Sequence, residues 1–346
     1  MLPNLPRINQ RVDAPHLANN SFCANYIDME MEKREIGNSG LKVAPFAFGG
    51  NIFGWTVDEA QSFMLLDAFT EAGFNLIDTA DSYSKWVPGN RGGESETIIG
   101  KWLKRSGKRK NVILATKVGS ELGPEEKGLS KSYILRAVEK SLQRLQTNYI
   151  DLYQSHFDDP ETPIEETLDA YALLIRQGKV RAIGASNYTV KRLSQALEIS
   201  GQPGYPRYKC LQTLYNLYDR AEYETNLEPL CVKDKLGVLT YFSLASGFLT
   251  GKYRSAEDLE GSARAEMVRK YVNERGFRIL KALDQLARQL NSNPAGIALA
   301  WLISRPGITA PIASATSLEQ LNDLINATSL ELDQSSIELL NEASAY

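Results

Sequence analysis

Four residues of chemically useful type stand at or just beyond the ends of apolar runs: Asp78 in FNLIDTA, Tyr83 five residues later, Lys117 in NVILATK and His156 in YIDLYQSH. A phenol, with an ordinary pKa of about 10, is a poor proton donor at neutral pH unless a cation stabilises the phenolate. Lys117 can supply that cation, and Asp78 the carboxylate that a desolvated ammonium needs. A neutral imidazole at His156 can donate a hydrogen bond to a substrate oxygen and hold it beside the phenol. Such a set suits protonation of a carbonyl oxygen while hydride arrives at the carbon. Taken singly, each residue has a plainer reading. Asp78 could close a turn, Tyr83 could pack, and Lys117 could reach the rim of a strand layer. His156 could be a satisfied core imidazole, or could join Asp158 and Asp159 at a metal. With two histidines in the chain and no ligand spacing, no metal is expected. Joint occurrence at successive strand ends favours the chemical reading, because independent causes would have to coincide.

Eight segments can supply those ends: 46–50, 74–80, 111–119, 149–157, 179–186, 209–216, 237–245 and 308–314. Each is short and apolar or β-branched, and each is followed by a stretch of helical period, the pattern of parallel strands joined by crossover helices. Eight such units are the count of a closed α/β barrel, the (β/α)8 TIM fold, whose strand C-termini converge on one mouth. An open doubly wound sheet is the alternative. It is disfavoured because GNRGGE at 89–94 lies in no strand–turn–helix setting and no Rossmann glycine fingerprint occurs elsewhere.

Local signals mark the helices. In TPIEETLDAYALLIRQGK, Thr162 suits the N-cap, Pro163 the first turn, Glu165 a capping box and Gly178 the C-terminal cap. In KSYILRAVEKSLQRL, residues Ile134, Leu135, Val138, Leu142 and Leu145 share one face, which should pack on the barrel wall. Two additions stand outside the repeat: a charged stretch from Ser246 to Asn273, read as a long loop over a site after strand seven, and a helical segment from Asp333. No internal repeat or linker divides residues 32–346, so one barrel domain is expected, preceded by a loosely ordered leader over 1–31.

Composition narrows the partners. The 346 residues are 43% hydrophobic and 23% charged, enough to bury a large core, and the net charge of -3 gives no field that would gather nucleic acid or an anionic membrane. The apolar stretch GIALAWLI is far short of the roughly 20 residues of a membrane span, and the leader lacks the apolar core of a signal peptide. Cys23, Cys210 and Cys231 form neither a disulfide framework nor a zinc motif, which fits a reducing, cytoplasmic setting.

From about Glu32 to its end the chain resembles the aldo-keto reductase superfamily. NLIDTADSY is similar to the family's Asp-Thr-Ala-x-x-Tyr segment, ATK to its catalytic-lysine strand and DLYQSHFDD to its histidine strand, in the family's order. The resemblance implies a catalytic tetrad of Asp78, Tyr83, Lys117 and His156, with Tyr83 as general acid. It also implies a nicotinamide nucleotide cofactor, NADP(H) first and NAD(H) second. ASNY resembles the family's Ser-Asn signature, so Ser186, Asn187 and Gln212 would hold the nicotinamide carboxamide, with Asn51 and Asp78 also in the cofactor shell. LTYFSLASGFLTGKY resembles the stretch after strand seven, so Tyr241 would stack on the nicotinamide, and Ser243, Leu244, Gly247 and Lys252 would line the pyrophosphate. At APIASATSLEQL, Thr316 and Glu319 make a capping box, and Ser314, Thr316 and Gln320 would face the adenosine phosphate, although Ser314 and Leu324 replace the family's usual Gly or Lys and Asn. Trp86 and Phe157 are the expected substrate contacts. The implied substrate is a small carbonyl compound or alcohol. A nucleotide-binding regulatory or channel-associated subunit, or an aldose or alcohol dehydrogenase working oxidatively, are the alternatives.

Overall fold

Eight parallel strands close into one barrel in the computed structural model, which describes residues 31–346. The expected leader, but for Met31, and Cys23 lie outside the described residues. A two-residue hairpin comes first, β1 (Arg34–Glu35) paired antiparallel with β2 (Lys42–Val43). The barrel strands follow as β3 (Ala47–Gly49), β4 (Leu76–Asp78), β5 (Ile113–Val118), β6 (Ile150–Ser155), β7 (Val180–Ser186), β8 (Cys210–Leu214), β9 (Gly237–Tyr241) and β10 (Ile308–Ala313). The order is sequential, with β10 closing on β3. A closed barrel rules out the open doubly wound alternative and leaves no free sheet edge in the ring. Every strand lies within the segment expected for it and all eight are shorter, because residues at their ends leave the ladder for the flanking loops.

The pleat sets the interior. Leu76, Ala115, Leu152, Ala182, Cys210 and Leu239 form one buried inward layer, and the hairpin residues Ile36, Leu41 and Val43 close it from below. Arg34 ties the hairpin down by donating to the carbonyls of Ile303 and Ile308. Each hairpin side chain so buried contributes about 1.5–3 kcal/mol. Side chains alternate with period two along a strand, so the next inward position up each strand is Gly49, Asp78, Lys117, Gln154, Gly184, Gln212 and Tyr241. Apolar floor and polar second layer together aim the chemistry at the C-terminal mouth.

Outward positions pack on helices. Phe46 and Phe48 meet Phe69 of the helix Glu59–Glu71 edge to face, with ring centroids 5.6 Å apart in each case. The helix Lys131–Leu145 buries Tyr133, Ile134, Ala137, Val138, Ser141, Leu142 and Leu145. Leu135, expected on that face, sits at its half-buried margin, since the stripe turns towards Tyr133 and Ala137. The helix Ile164–Arg176 starts one residue later than its capping signal suggests: Pro163 is the N-cap and no side chain caps it. Thr162 instead donates to Asp159, and Glu165 makes no box; its neighbour Glu166 accepts from the Lys131 amide. Gly178 follows that helix in the left-handed conformation at φ +71°.

The 246–273 stretch is less a loop than a set of short helical pieces, Ala245–Thr250, Glu257–Leu259 and Ala265–Arg269, pinned by buried Tyr253, Leu259, Val268 and Tyr271. The C-terminal segment forms the helix Gln334–Ala343, capped by Asp333. Among the described residues, no helix is long and apolar enough to cross a membrane.

Candidate active site

Asp78 ends β4, and the chain then turns back so that Tyr83 returns over it. Ser84, at φ +69°, makes the turn, and its hydroxyl donates to the Phe53 carbonyl at 2.7 Å. Lys117 rises from the polar layer of β5 with no exposed surface. Its three N–H groups meet three acceptors: Asp78 Oδ2 at 2.8 Å, the Tyr83 hydroxyl at 2.7 Å and the Thr79 carbonyl at 2.8 Å. The Tyr83 hydroxyl in turn donates to Asp78 Oδ2 at 3.1 Å. Asp78 Oδ1 accepts from Gln212 Nε2 at 2.8 Å. The three groups paired by the sequence argument therefore form one closed hydrogen-bonded cluster.

His156 lies one residue beyond β6, its ring centroid 6.0 Å from that of Tyr83. Burial, then the positive charges of Lys117 and Lys85, hold its pKa well below the usual 6.5, so the ring is neutral. Its Nδ1 faces the Ser82 hydroxyl at 3.4 Å; when Ser82 donates there, Nε2 carries the hydrogen. The phenol departs from the sequence argument. Burial, then the Asp78 carboxylate, push Tyr83 well above its ordinary 10 rather than below it, while burial lowers Lys117. Tyr83 therefore stays protonated, and the lysine's stabilisation matters once the phenol has lost its hydrogen.

The residues expected around a cofactor are largely tied to one another. Asn187, in the left-handed region at φ +56°, donates to the His156 carbonyl at 2.9 Å and to Ser186 Oγ at 3.1 Å, and accepts from the Tyr241 hydroxyl at 2.6 Å. Gln212 commits its amide nitrogen to Asp78 Oδ1 at 2.8 Å and to Gln154 Oε1 at 3.4 Å. Ser243 turns back to the Thr240 carbonyl at 3.0 Å, so its hydroxyl is used within its own strand end. Leu244 precedes a run of left-handed residues, Ala245, Ser246 and Gly247 at φ +49°, +58° and +97°, in which the Ala245 and Gly247 amides donate to the Phe242 and Leu244 carbonyls and close two tight turns.

Two cations overhang these turns at Gly247. A Cβ on Gly247 would lie 3.6 Å from Lys252 Nζ and 3.9 Å from an Arg264 guanidinium nitrogen. Among the described residues neither side chain has an ion-pair or hydrogen-bond partner; Lys252 lies over Tyr253 and Arg264 over Trp55. Burial without a counter-ion pulls the Arg264 pKa down. Such a pair fits a diphosphate.

Across the mouth, Ser314 Oγ bonds the Gly49 carbonyl at 2.7 Å and Asn51 Oδ1 at 2.8 Å. The cap of the next helix, Leu318–Ala327, is shifted by one from Thr316 and Glu319. Ser317 accepts from the Gln320 amide, and Gln320 Oε1 reaches back to the Thr316 N–H and hydroxyl. Leu324 is buried. No basic side chain enters through these residues.

The open side is aromatic. Trp86 and Phe157 are 47% and 46% exposed and stand beside Tyr83 and His156. Trp86 meets Tyr83 and Trp55 edge to face at 6.3 and 5.6 Å, and Phe157 stacks on His156 at 4.8 Å. Three residues here escaped the sequence reading: Trp55, Arg264 and Gln154. Arg264 had no signal within a charge-rich insertion. Gln154 did, since it lies two residues before His156 on the same strand face.

A family model described as "Aldo/keto reductase family" matches residues 45–345. A Bacillus subtilis (strain 168) protein named "Uncharacterized oxidoreductase YrpG" is 35% identical over 320 residues, covering 90% of this chain and 95% of its own. "Aldo-keto reductase YhdN" of the same organism is 33% identical, covering 90% and 94%. A protein of Oryza sativa subsp. japonica named "Probable voltage-gated potassium channel subunit beta" is 30% identical, covering 86% and 91%.

Proposed function

The chain belongs to the aldo/keto reductase family, and from that premise we propose that it interconverts aldehydes or ketones and alcohols with a nicotinamide nucleotide, Tyr83 acting as general acid. The observation that carries this reading is the Tyr83 hydroxyl held at the mouth between Lys117 Nζ at 2.7 Å and Asp78 Oδ2 at 3.1 Å. The bound nucleotide supplies or accepts the hydride. Lys252 and Arg264, beside Gly247, would hold its diphosphate, and Ser186, Asn187 and the carbonyl of Gln212 would hold its carboxamide.

The residues then act in order. His156 donates from Nε2 to the carbonyl oxygen and places it beside the phenol. Tyr83 turns its hydrogen from Asp78 to that oxygen while still accepting from Lys117. As the oxygen becomes an alkoxide, far more basic than a phenolate, the proton passes to it, and Lys117 holds the phenolate left behind. Trp86 and Phe157 shield the reacting atoms and favour apolar carbonyl compounds.

Titration with NADPH and NADH, followed by steady-state oxidation of each with a panel of small aldehydes, tests the reading. Turnover is expected; binding without turnover on any aldehyde would overturn it. That second outcome is the signature of a nucleotide-binding regulatory subunit, the reading favoured by the similarity to the rice protein named as a channel subunit.

The raised phenol sets a pH asymmetry. Reduction needs Tyr83 protonated, and it stays so through neutral and mildly alkaline pH. Alcohol oxidation needs the phenolate, which is scarce there. Oxidation should therefore climb with pH without levelling up to about pH 10, while reduction shows no loss from Tyr83 over the same range. With His156 neutral above 6.5, no inflection should appear near that value. Profiles of kcat/KM in both directions check this; reduction falling with an apparent pKa between about 6 and 8 would contradict it.

A further inference from the structure

The polar layer holds a glutamine for which the reaction scheme has no use. Gln154 is wholly buried, on β6 directly in register with Lys117 of β5 on one side and with Gly184 of β7 on the other. Its Oε1 faces Gln212 Nε2 at 3.4 Å and the Cys210 thiol at 3.5 Å. The amide orientation follows from chemistry. Gln212 must present N–H to the Asp78 carboxylate, so the Gln154 atom facing that same nitrogen has to be the carbonyl oxygen. A turned Gln154 amide would set nitrogen against nitrogen.

Gln154 and Gln212 are separated by a whole strand. They meet because β7 offers no side chain between them: a Cβ on Gly184 would fall 3.1 Å from Gln154 Cγ and 2.9 Å from Cys210 Sγ. The gap at Gly184, the reach of Gln154 and the commitment of Gln212 to Asp78 therefore belong to one arrangement. We infer that Gln154 is a positioning residue, which fixes the Gln212 amide so that its N–H points at Asp78 and its carbonyl points away, towards the nicotinamide carboxamide.

The inference rests on the role proposed above for Gln212. Without Gln154, the Gln212 amide is held by Asp78 alone and can swing about that one hydrogen bond, so its carbonyl is no longer fixed towards the cofactor side. Cofactor affinity and the hold on Asp78 would then fall together, although Gln154 lies beneath both.

The experiment is a double-mutant cycle of Gln154→Met and Gln212→Met in the full chain, reading the Kd for NADPH by fluorescence and, separately, kcat/KM for aldehyde reduction. Gln154→Met is expected to weaken nucleotide binding by about tenfold in the wild-type background and to have little further effect beside Gln212→Met, since contacting residues couple on that scale. Equal losses in both backgrounds would overturn the inference, because a merely structural defect adds rather than couples. Thermal unfolding checks the fold of each variant, and Gln154→Leu, equally unable to accept from Gln212, should lose as much affinity as Gln154→Met; wild-type affinity in a folded Gln154→Leu would count against the inference. The nucleotide Kd keeps the two ideas apart. Coupling in Kd without aldehyde turnover leaves Gln154 in place and sinks the reductase, whereas wild-type turnover without coupling sinks Gln154 alone.

Discussion

Tyr83→Phe is expected to lower carbonyl reduction by about 10²–10⁴-fold, as loss of a positioned general acid does, while the Kd for the nucleotide stays within a factor of about two. The substitution removes one oxygen and leaves the ring, so the edge contacts with Trp86 and His156 persist. Lys117 keeps Asp78 and the Thr79 carbonyl as acceptors and loses one of three, a loss of about 1 kcal/mol in stability. Activity should therefore collapse with the fold intact. Single-turnover kinetics with excess enzyme separate the effect from product release, and thermal unfolding checks the fold. A variant that keeps more than about a tenth of wild-type turnover would remove Tyr83 from the proton path, since general acids act on a far larger scale.

The architecture was legible because the fold's physics is local and repeated. Eight apolar runs with helical segments between them leave few topologies: parallel pairing brings the strand ends carrying Asp78 and Lys117 to one edge, and the count of eight closes that edge into a mouth. Helix starts were read less well. Thr162 and Thr316 each carry the right side chain one residue early, and a cap is chosen by which hydroxyl can reach an amide, which spacing alone leaves ambiguous by one. Leu135 missed the buried face for a similar reason: the stripe depends on which way the helix rolls on the wall.

Within the site, the pairings of Asp78, Tyr83 and Lys117 could be argued from charge neutralisation, which requires those partners wherever they are buried. The direction of the Tyr83 shift could not. It is a balance between a cation 2.7 Å away, a carboxylate 3.1 Å away and loss of water, and a sequence names the charges without weighing burial against them. Arg264 was hidden because its meeting with Lys252 depends on how the 246–273 segment folds back. Gln154 was hidden behind His156, although period-two alternation from Lys117 and Gln212 would have placed it in the same layer.

Lys117→Met is expected to cost activity and stability together, and the two can be pulled apart. Lys117 has no exposed surface and Asp78 has 1%. Removing the ammonium leaves a buried carboxylate with Gln212 and Tyr83 as its remaining donors, a situation that destabilises by roughly 3–5 kcal/mol. Adding Asp78→Asn removes the stranded charge, keeps an acceptor for Gln212 and turns an N–H towards the Tyr83 oxygen, which accepts where it had donated. The double variant should therefore recover most of the lost stability in urea unfolding, with an unchanged dependence on denaturant. Activity should not return, because the phenolate formed on proton transfer would have no cation beside it; a loss of about 10²–10³-fold or more is expected in both variants. Tyr83→Phe added to Lys117→Met should lower turnover little further, since residues acting as one unit are lost as one. Wild-type stability in the single variant would mean that the ion pair is not what holds Asp78. Recovered turnover in the double variant would mean that the lysine serves the fold and not the phenol.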